Sequence, residues 1–187
     1  MDRWPDKNEA EQILESWTKN KNLRKHAYAV EAAMRAYAPK FGQDPEKWGI
    51  VGLLHDFDYE KFPTLQDHPF KGVEYLKEQG YSDELTEAIL AHAEHTGTIR
   101  DTVLKKCIYA VDELTGLIVA VALVRPSKKL SDVTVRSVQK KWKEKAFAAG
   151  VDREIIERGA EELGIELTKL IETVLEAMQG ISDKLGL

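Results

Sequence analysis

The chain of 187 residues contains a single cysteine, Cys107. One thiol can form neither an internal disulfide nor a cage of several thiolates around a metal ion. The apolar neighbours of Cys107 favour a place in the core, because a cysteine in such surroundings behaves as a small hydrophobic residue. Any metal ligands must therefore come from other residue types.

Long apolar segments are also missing. The longest apolar run, residues 114–124, is far shorter than the ~20 residues that a membrane-spanning helix requires, so it predicts a buried core helix. The start of the sequence, MDRWPDKNEAEQ, has no basic stretch followed by an apolar one, which argues against a secretory signal. We therefore expect a cytoplasmic protein without membrane contact.

A surplus of positive charge is absent as well. The formal net charge is −5, and binding to a nucleic-acid backbone needs an excess of lysine and arginine. We expect no nucleic-acid polymer as a partner, whereas small anionic substrates are compatible with this charge. The basic residues between positions 125 and 145 favour a solvated helix face and loop over an anion-binding rim.

Alternating strand patterns with tight turns are missing, whereas helical periodicity and capping residues recur along the chain. The sequence therefore predicts an all-α fold, with a loop at residues 57–67. Predicted helices cover residues 7–18, 20 or 22 to 37, 45–55, 69–79, 82 to the region 92–95, a long helix capped by Asp101, and residues 134–148, 152–163 and 167–178.

All five histidines lie between positions 26 and 95, most of them next to a carboxylate. Imidazole and carboxylate groups together suit Mn, Fe, Co, Ni or Zn, and ligands on several helices can leave coordination positions open for water and substrate. A further carboxylate, Asp112, lies beside the apolar face of the long helix, where a buried charge needs a partner. The pattern indicates a metal site.

The order of these residues resembles the signature of the HD superfamily of metal-dependent phosphohydrolases, which is a lone His, a His-Asp pair about one helix later, and a distal Asp. The lone histidine matches His26 in LRKHAYAV, the pair matches His55-Asp56 in VGLLHDFD, and the distal residue matches Asp112 in CIYAVDELTG. The resemblance covers roughly residues 26–116. It implies an HD-domain helical core to which the C-terminal helices are added.

Members of this superfamily with two metals add histidines between the pair and the distal Asp. His68 in DHPFKGVEYL and His92 in AILAHAEHTG occupy these positions. The resemblance thus implies one or two divalent transition metal ions, with Asp56 bridging two of them. His95, which we place on the same helical face as His92, could complete the second metal site, support its ligands or contact substrate phosphate.

The resemblance further implies hydrolysis of a phosphate ester or anhydride by a metal-activated water, with a small phosphorylated metabolite or nucleotide as substrate. Asp56 and His95 are the candidate catalytic residues. The candidate substrate-binding residues are Arg24, Lys25, Lys61 and His95. Lys61 stands later than the lysine that often follows the His-Asp pair in the family, which weakens its assignment.

Two alternative functions stay open. Some similar helical proteins use the same ligand set for oxygen chemistry, which would make this chain a mixed-valence di-iron oxygenase. The chain could also be a non-catalytic helical binding or regulatory module. In each case we expect a single domain over residues 1–187, with a metal-binding core at about 20–124 and a helical extension at about 125–187 that packs on the core and could support a homodimer.

Overall fold

A computed structural model describes residues 3–187 of the chain. Met1 and Asp2, which belong to the segment examined for a secretory signal, lie outside the described residues. Within residues 3–187 the only extended pairing is an isolated bridge between Arg3 and Tyr81. The all-α prediction is confirmed. The α-helices are α1 Lys7–Trp17, α2 Lys21–Tyr37, α3 Pro45–Leu54, α4 Phe70–Glu78, α5 Asp83–Ala91, α6 Val103–Leu123, α7 Val135–Trp142, α8 Arg153–Leu163, α9 Leu167–Gln179 and α10 Ser182–Leu185.

Short polar side chains begin most of these helices. Asp6 and Glu9 form a capping box at the start of α1, Asn20 caps α2, and Ser82 caps α5. Asp6, Asn20 and Ser82 each accept a hydrogen bond from an otherwise unpaired N–H group in the first turn, and Glu9 accepts the N–H of Asp6. Ser82 therefore begins α5 as predicted, and of the two starts that the sequence left open for α2, the one behind Asn20 is correct.

The core of the fold is the pair α2 and α3, which pack unusually close together. Residues 48–54 of α3 are all buried. A Cβ atom on Gly52 would lie only 2.8 Å from the carbonyl oxygen of Val30 and from the amide nitrogen of Glu31. Only glycine permits this backbone approach, and it brings the end of α3 next to α2.

The long helix α6 passes through the same core, and the C-terminal helices pack against it. The face of α6 that includes Leu104, Ile108 and Leu114 is buried. On the α8 side, Gly159 lies against Ala110 of α6, since a Cβ at Gly159 would come within 2.5 Å of the Cα atom of Ala110. Buried residues of α9 belong to the same apolar cluster as those of α2 and α6.

Three predicted boundaries are wrong. Helix α6 begins at Val103 behind Thr102 rather than behind Asp101, because Asp101 instead pairs with Lys105 at 3.0 Å. Helix α7 ends at Trp142 rather than at residue 148, and turns follow it.

None of the helices within residues 3–187 is long and apolar enough to cross a membrane.

The third error bears on the histidines. Helix α5 ends at Ala91, and Ala93 adopts an extended conformation before a short 3-10 helix at Glu94–Thr96. The spacing of three residues predicted that His92 and His95 share a helical face. This prediction is wrong, because the helix ends before both residues. The extended residue between them turns the two imidazoles toward different neighbours.

Candidate metal centre

Three side chains from separate helices meet at one point and form a first triad: His26, His55 and Asp112. His26 lies in α2, His55 follows the last residue of α3, and Asp112 lies in α6. The Nε2 atoms of the two histidines are 3.1 Å apart. Oδ1 of Asp112 lies 2.9 Å from Nε2 of His26 and 3.3 Å from Nε2 of His55.

A second triad lies beside the first and consists of Asp56, His68 and His92. Its members stand at helix ends and turns, since Asp56 follows α3, His68 precedes α4 and His92 follows α5. Oδ1 of Asp56 lies 3.2 Å from Nε2 of His68 and 3.3 Å from Nε2 of His92. The two Nε2 atoms are 3.3 Å apart.

The carboxylate of Asp56 connects the two triads. Its Oδ1 atom belongs to the second triad, while its Oδ2 atom lies 3.7 Å from Nε2 of His26 and 3.6 Å from Nε2 of His55. One carboxylate oxygen thus faces each group of ligand atoms. This is the geometry expected of a carboxylate that bridges two cations.

Hydrogen bonds to backbone carbonyls orient two of the imidazoles. Nδ1 of His55 donates to the carbonyl oxygen of Gly52 at 2.7 Å, and Nδ1 of His92 donates to that of Ile89 at 2.5 Å. A carbonyl oxygen can only accept, so the hydrogen must be on Nδ1. The neutral ring then has its lone pair on Nε2, directed into the triad, as metal-bound histidines require.

Side chains orient the other two ligand histidines. Nδ1 of His68 lies 2.7 Å from Oδ1 of Asp58, whose Oδ2 atom accepts the N–H of Gly72 at 2.8 Å. Nδ1 of His26 lies 3.3 Å from the hydroxyl of Thr115, which itself donates to the carbonyl oxygen of Asp112. The hydroxyl oxygen therefore accepts from His26, and Nε2 is again the unprotonated atom.

These donor atoms fit divalent transition metals. Metal–ligand bonds of about 2.1 Å separate neighbouring ligand atoms by about 3.0 Å in an octahedral site and about 3.4 Å in a tetrahedral site. The corresponding distances in the two triads run from 2.9 to 3.3 Å. Lone pairs held this close repel one another unless a proton or a metal ion lies between them. Both triads could hold a metal ion.

The pKa values of the ligand histidines also indicate a centre that attracts cations. Burial lowers the pKa of His55, but the negative charges of Asp56 and Asp112 outweigh burial and raise it to about 9. Burial likewise lowers the pKa of His68, but hydrogen bonds to Asp56 and Asp58 outweigh it and raise that pKa to about 9. Without metal, the buried carboxylates are therefore balanced by protons on imidazoles.

The two ligand carboxyls show the complementary effect. Burial raises the pKa of Asp56 and of Asp112, but the nearby imidazoles outweigh burial and hold both pKa values well below the ordinary value. Both groups are therefore anionic. A metal ion would take the place of the protons that the histidines carry.

The centre opens into a cavity of about 490 Å³. Five of the six triad residues line it, and His55 is fully buried behind them. The other lining residues are Tyr59, Leu65, Ala93, Glu94, His95, Glu113, Gly116 and Ile155. Ile155 belongs to α8, so the C-terminal helices contribute to the wall of this cavity.

His95 lines the cavity but stands outside both triads. Its Nε2 atom donates to the carbonyl oxygen of His68 at 2.8 Å, and its ring meets the ring of Phe70 edge-on. Of the roles left open for His95, its position fits contact with a bound substrate better than metal ligation.

The predicted basic residues are not brought to this cavity. The Arg24 side chain donates to the carbonyl oxygens of Thr18 and Glu15, and the Lys61 ammonium lies 4.1 Å from the centre of the Trp17 ring. Lys25 lines a different cavity of about 330 Å³, which shares His26 and Gly116 with the first.

Sequence reasoning missed several side chains that support the centre. Asp58 is fully buried and follows the His-Asp pair by two residues, but it was assigned to an irregular loop. The sequence signal for Asp58 was that it is the third acidic or histidine residue within the four residues HDFD. Thr115 was missed as well. Its sequence signal was its position three residues after Asp112, because this spacing returns to the same helical face.

Glu113 and Glu94 were missed as well, although they follow ligand residues by one and two positions. Burial and then the charge of Asp112 raise the pKa of Glu113 to about 7. Glu94 accepts hydrogen bonds from Tyr109 and from Arg158 of α8. The contact with Arg158 spans 64 residues, so no local pattern could reveal it.

Comparison with known proteins agrees with this geometry. The fold is a helical bundle that gathers histidines and aspartates into two clusters, each of which could hold a metal ion. The family model of the HD domain matches residues 23–117, which is just over half of the chain. The protein therefore belongs to the HD domain family, whose members are mostly metal-dependent phosphohydrolases. No curated protein and no solved structure matches the chain significantly.

Proposed function

We propose that the protein is a metal-dependent phosphohydrolase that acts on a small phosphorylated metabolite or nucleotide. The observation that carries this proposal is Asp56, whose two oxygens face two separate groups of ligand atoms beside an open cavity. The six triad residues would hold two divalent ions, chosen from Mn, Fe, Co, Ni and Zn. Asp56 would bridge them.

When bound, such a pair of ions supplies a water of lowered pKa and positive charge for the phosphoryl oxygens. The chain positions this chemistry. Gly52, Ile89, Asp58 and Thr115 fix the rings of the four ligand histidines through their Nδ1 atoms, so little reorganisation is needed during the reaction.

His95 is the residue that we assign to the leaving group. Because its Nε2 atom donates to the carbonyl oxygen of His68, the neutral ring has its acceptor at Nδ1. Protonated at Nδ1, the imidazole could transfer that proton to the departing oxygen, which is the role of a general acid. In the metal-free chain Asp56 is anionic, since the surrounding imidazoles keep its pKa low.

The experiment is a screen of phosphorylated metabolites with metal-stripped protein to which Mn, Co, Ni, Fe, Zn or Mg is added separately. We expect release of inorganic phosphate with at least one transition metal. The variant Asp56→Asn should lose this activity, whereas Asp132→Asn, which changes an exposed carboxylate outside the cavity, should keep it.

Other outcomes of the same screen would favour the two alternatives. Turnover with redox-inert Mn or Co in the absence of oxygen rules out an obligatory di-iron oxygenase, while substrate consumption that requires iron and oxygen would support one. Protein that takes up no transition metal, and in which Asp56→Asn changes nothing, would be a binding or regulatory module.

A further inference from the structure

The cavity beside the two triads has an uneven distribution of charge. Apart from the ligands and His95, its charged lining residues are the carboxylates Glu94 and Glu113. The remaining wall is apolar or aromatic and includes Tyr59, Leu65 and Ile155. Among residues 3–187, no lysine or arginine belongs to the lining. A substrate would therefore meet positive charge at the metal ions alone.

Two arginines stand near the cavity, but both are engaged with acidic partners. Arg158 pairs with Glu94, which also accepts the hydroxyl of Tyr109 at 2.6 Å. Arg100 makes two hydrogen bonds of 2.8 Å to Glu162. Its guanidinium also stacks 3.7 Å from the centre of the Tyr109 ring. Such two-point contacts hold a guanidinium firmly.

Glu113 leaves the lining with an additional carboxylate. It accepts the backbone N–H of Asp152 at 3.2 Å, and within residues 3–187 the cavity lining offers it no lysine or arginine. Lys25 does not offset this charge, because it lines the neighbouring cavity next to Leu185 and Leu187. An anionic group placed beyond the metal-bound phosphate would therefore lose its water without finding a cationic side chain of the lining to pair with.

We infer that the cavity selects substrates that carry a single phosphoryl group on a remainder without negative charge. This inference rests on the proposed function and narrows it. The phosphoryl group lies at the ions, and an uncharged, partly apolar remainder contacts Tyr59, Leu65 and Ile155. Nucleoside diphosphates and triphosphates, and esters that bear a carboxylate, are disfavoured.

Binding of phosphonates tests the inference without requiring turnover. The probes are butylphosphonate, 3-aminopropylphosphonate and 3-phosphonopropionate, which are similar in size but end in a neutral, a positive and a negative group. Their affinity for Mn-loaded protein is measured by titration calorimetry. We expect 3-phosphonopropionate to bind about tenfold more weakly than the other two, because its carboxylate would be desolvated without gaining a cationic partner.

A substitution in the cavity wall should change this order. Ile155→Lys places a cation at a half-buried position of α8, and Ile155→Met is the matched uncharged control. We expect Ile155→Lys to remove most of the tenfold penalty on 3-phosphonopropionate, while Ile155→Met and Lys25→Gln retain it. Wild-type protein that binds 3-phosphonopropionate as tightly as butylphosphonate, or more tightly, would overturn the inference.

Turnover of propyl phosphate and phosphoglycolate separates this inference from the proposed function. If neither ester is hydrolysed but the predicted order of phosphonate affinities holds, the hydrolytic reaction is wrong and the charge selectivity stands. If both esters are hydrolysed and the affinity order is reversed, the reaction stands and the selectivity is wrong.

Discussion

The two triads contain the same residue types but are built differently. The first draws on α2, the end of α3 and α6, and the close packing at Gly52 fixes the distance between α2 and α3. The second draws on helix ends and turns, and the charged side chain of Asp58 fixes His68. Packing of backbones thus positions one triad, whereas a buried hydrogen-bond network positions the other.

Asp56 is where the two triads depend on each other, and its removal should have the largest effect. Asp56→Asn replaces one bridging oxygen by a group that cannot bind a cation as a carboxylate does. We expect the bound metal to fall from two ions per chain to one or none, and hydrolysis to fall by more than about 100-fold, beyond the range typical of supporting residues. Metal analysis and phosphate release measure the two effects.

The proposed bridge would be wrong if Asp56→Asn kept both ions with unchanged affinity. His26→Ala is the informative comparison, because it should remove the ion of the first triad and leave the second. Its metal content is expected to be close to one ion per chain.

Acid should weaken metal binding at both triads alike. The pKa values of His55 and His68 are raised to about 9 in the metal-free protein, so a metal ion must displace protons below that pH. Affinity should fall by about tenfold per pH unit and displaced proton between pH 9 and pH 7. Titration with Mn at several pH values measures the slope, and an affinity independent of pH would contradict the prediction.

The metal-free protein should show the opposite trend in stability. The pKa values of both histidines in the folded chain lie above the ordinary value of 6.5. The stabilisation by their imidazolium forms is therefore complete below pH 6.5 and is lost as the pH rises through about 9. Thermal unfolding of metal-free protein should thus occur at lower temperature at pH 9 than at pH 7.

Substitutions of the residues behind the ligands should separate the two triads. Asp58→Asn removes the charge that orients His68. We expect metal affinity at the second triad to fall by about 10- to 100-fold, the usual range for hydrogen-bond partners of metal ligands. Thr115→Val removes a longer, neutral contact of 3.3 Å to His26. Its effect on the first triad should stay below about threefold.

Equal losses in Asp58→Asn and Thr115→Val would show that the charge of Asp58 has no special role. Both variants can be compared by competition with a metal chelator, which resolves the two sites if their affinities differ.

Much of this centre could be predicted from the sequence, because the spacing of His26, the His55-Asp56 pair and Asp112 follows the family signature. Ser82 placed the start of α5, whereas the sequence left the start of α2 open between Asn20 and Asn22. The prediction of one contiguous helix through His92 and His95 was wrong, since a single extended residue is not visible as a break in periodicity.

Arg24 and Lys25 were predicted to contact substrate because they are close to His26 in sequence. Proximity in sequence does not tell in which direction a side chain points. Residues two positions apart in an α-helix point about 200° apart, so Arg24 faces away from His26. Its side chain instead donates to the carbonyl oxygens of Glu15 and Thr18 at the end of α1. The contact between Glu94 and Arg158 depends on how α8 packs against α6, and only the folded chain shows it.

Substitutions of the tightly packed glycines should act mainly through stability. Gly52→Ala forces a Cβ atom against the rigid backbone of α2, whereas a Cβ at Gly72 meets the side chains of Phe57 and Asp58. We expect losses within about 1–3 kcal/mol, larger for Gly52→Ala because a backbone cannot yield as a side chain does. Denaturant unfolding of metal-free protein measures both, and a larger loss in Gly72→Ala would contradict the comparison.

The most direct test of the central claim is anomalous diffraction from crystals grown with Mn. We expect two anomalous peaks per chain, about 3.5–4 Å apart as in other two-metal sites, one within each triad and both in contact with Asp56. A single peak, or two peaks of which neither contacts Asp56, would contradict the account.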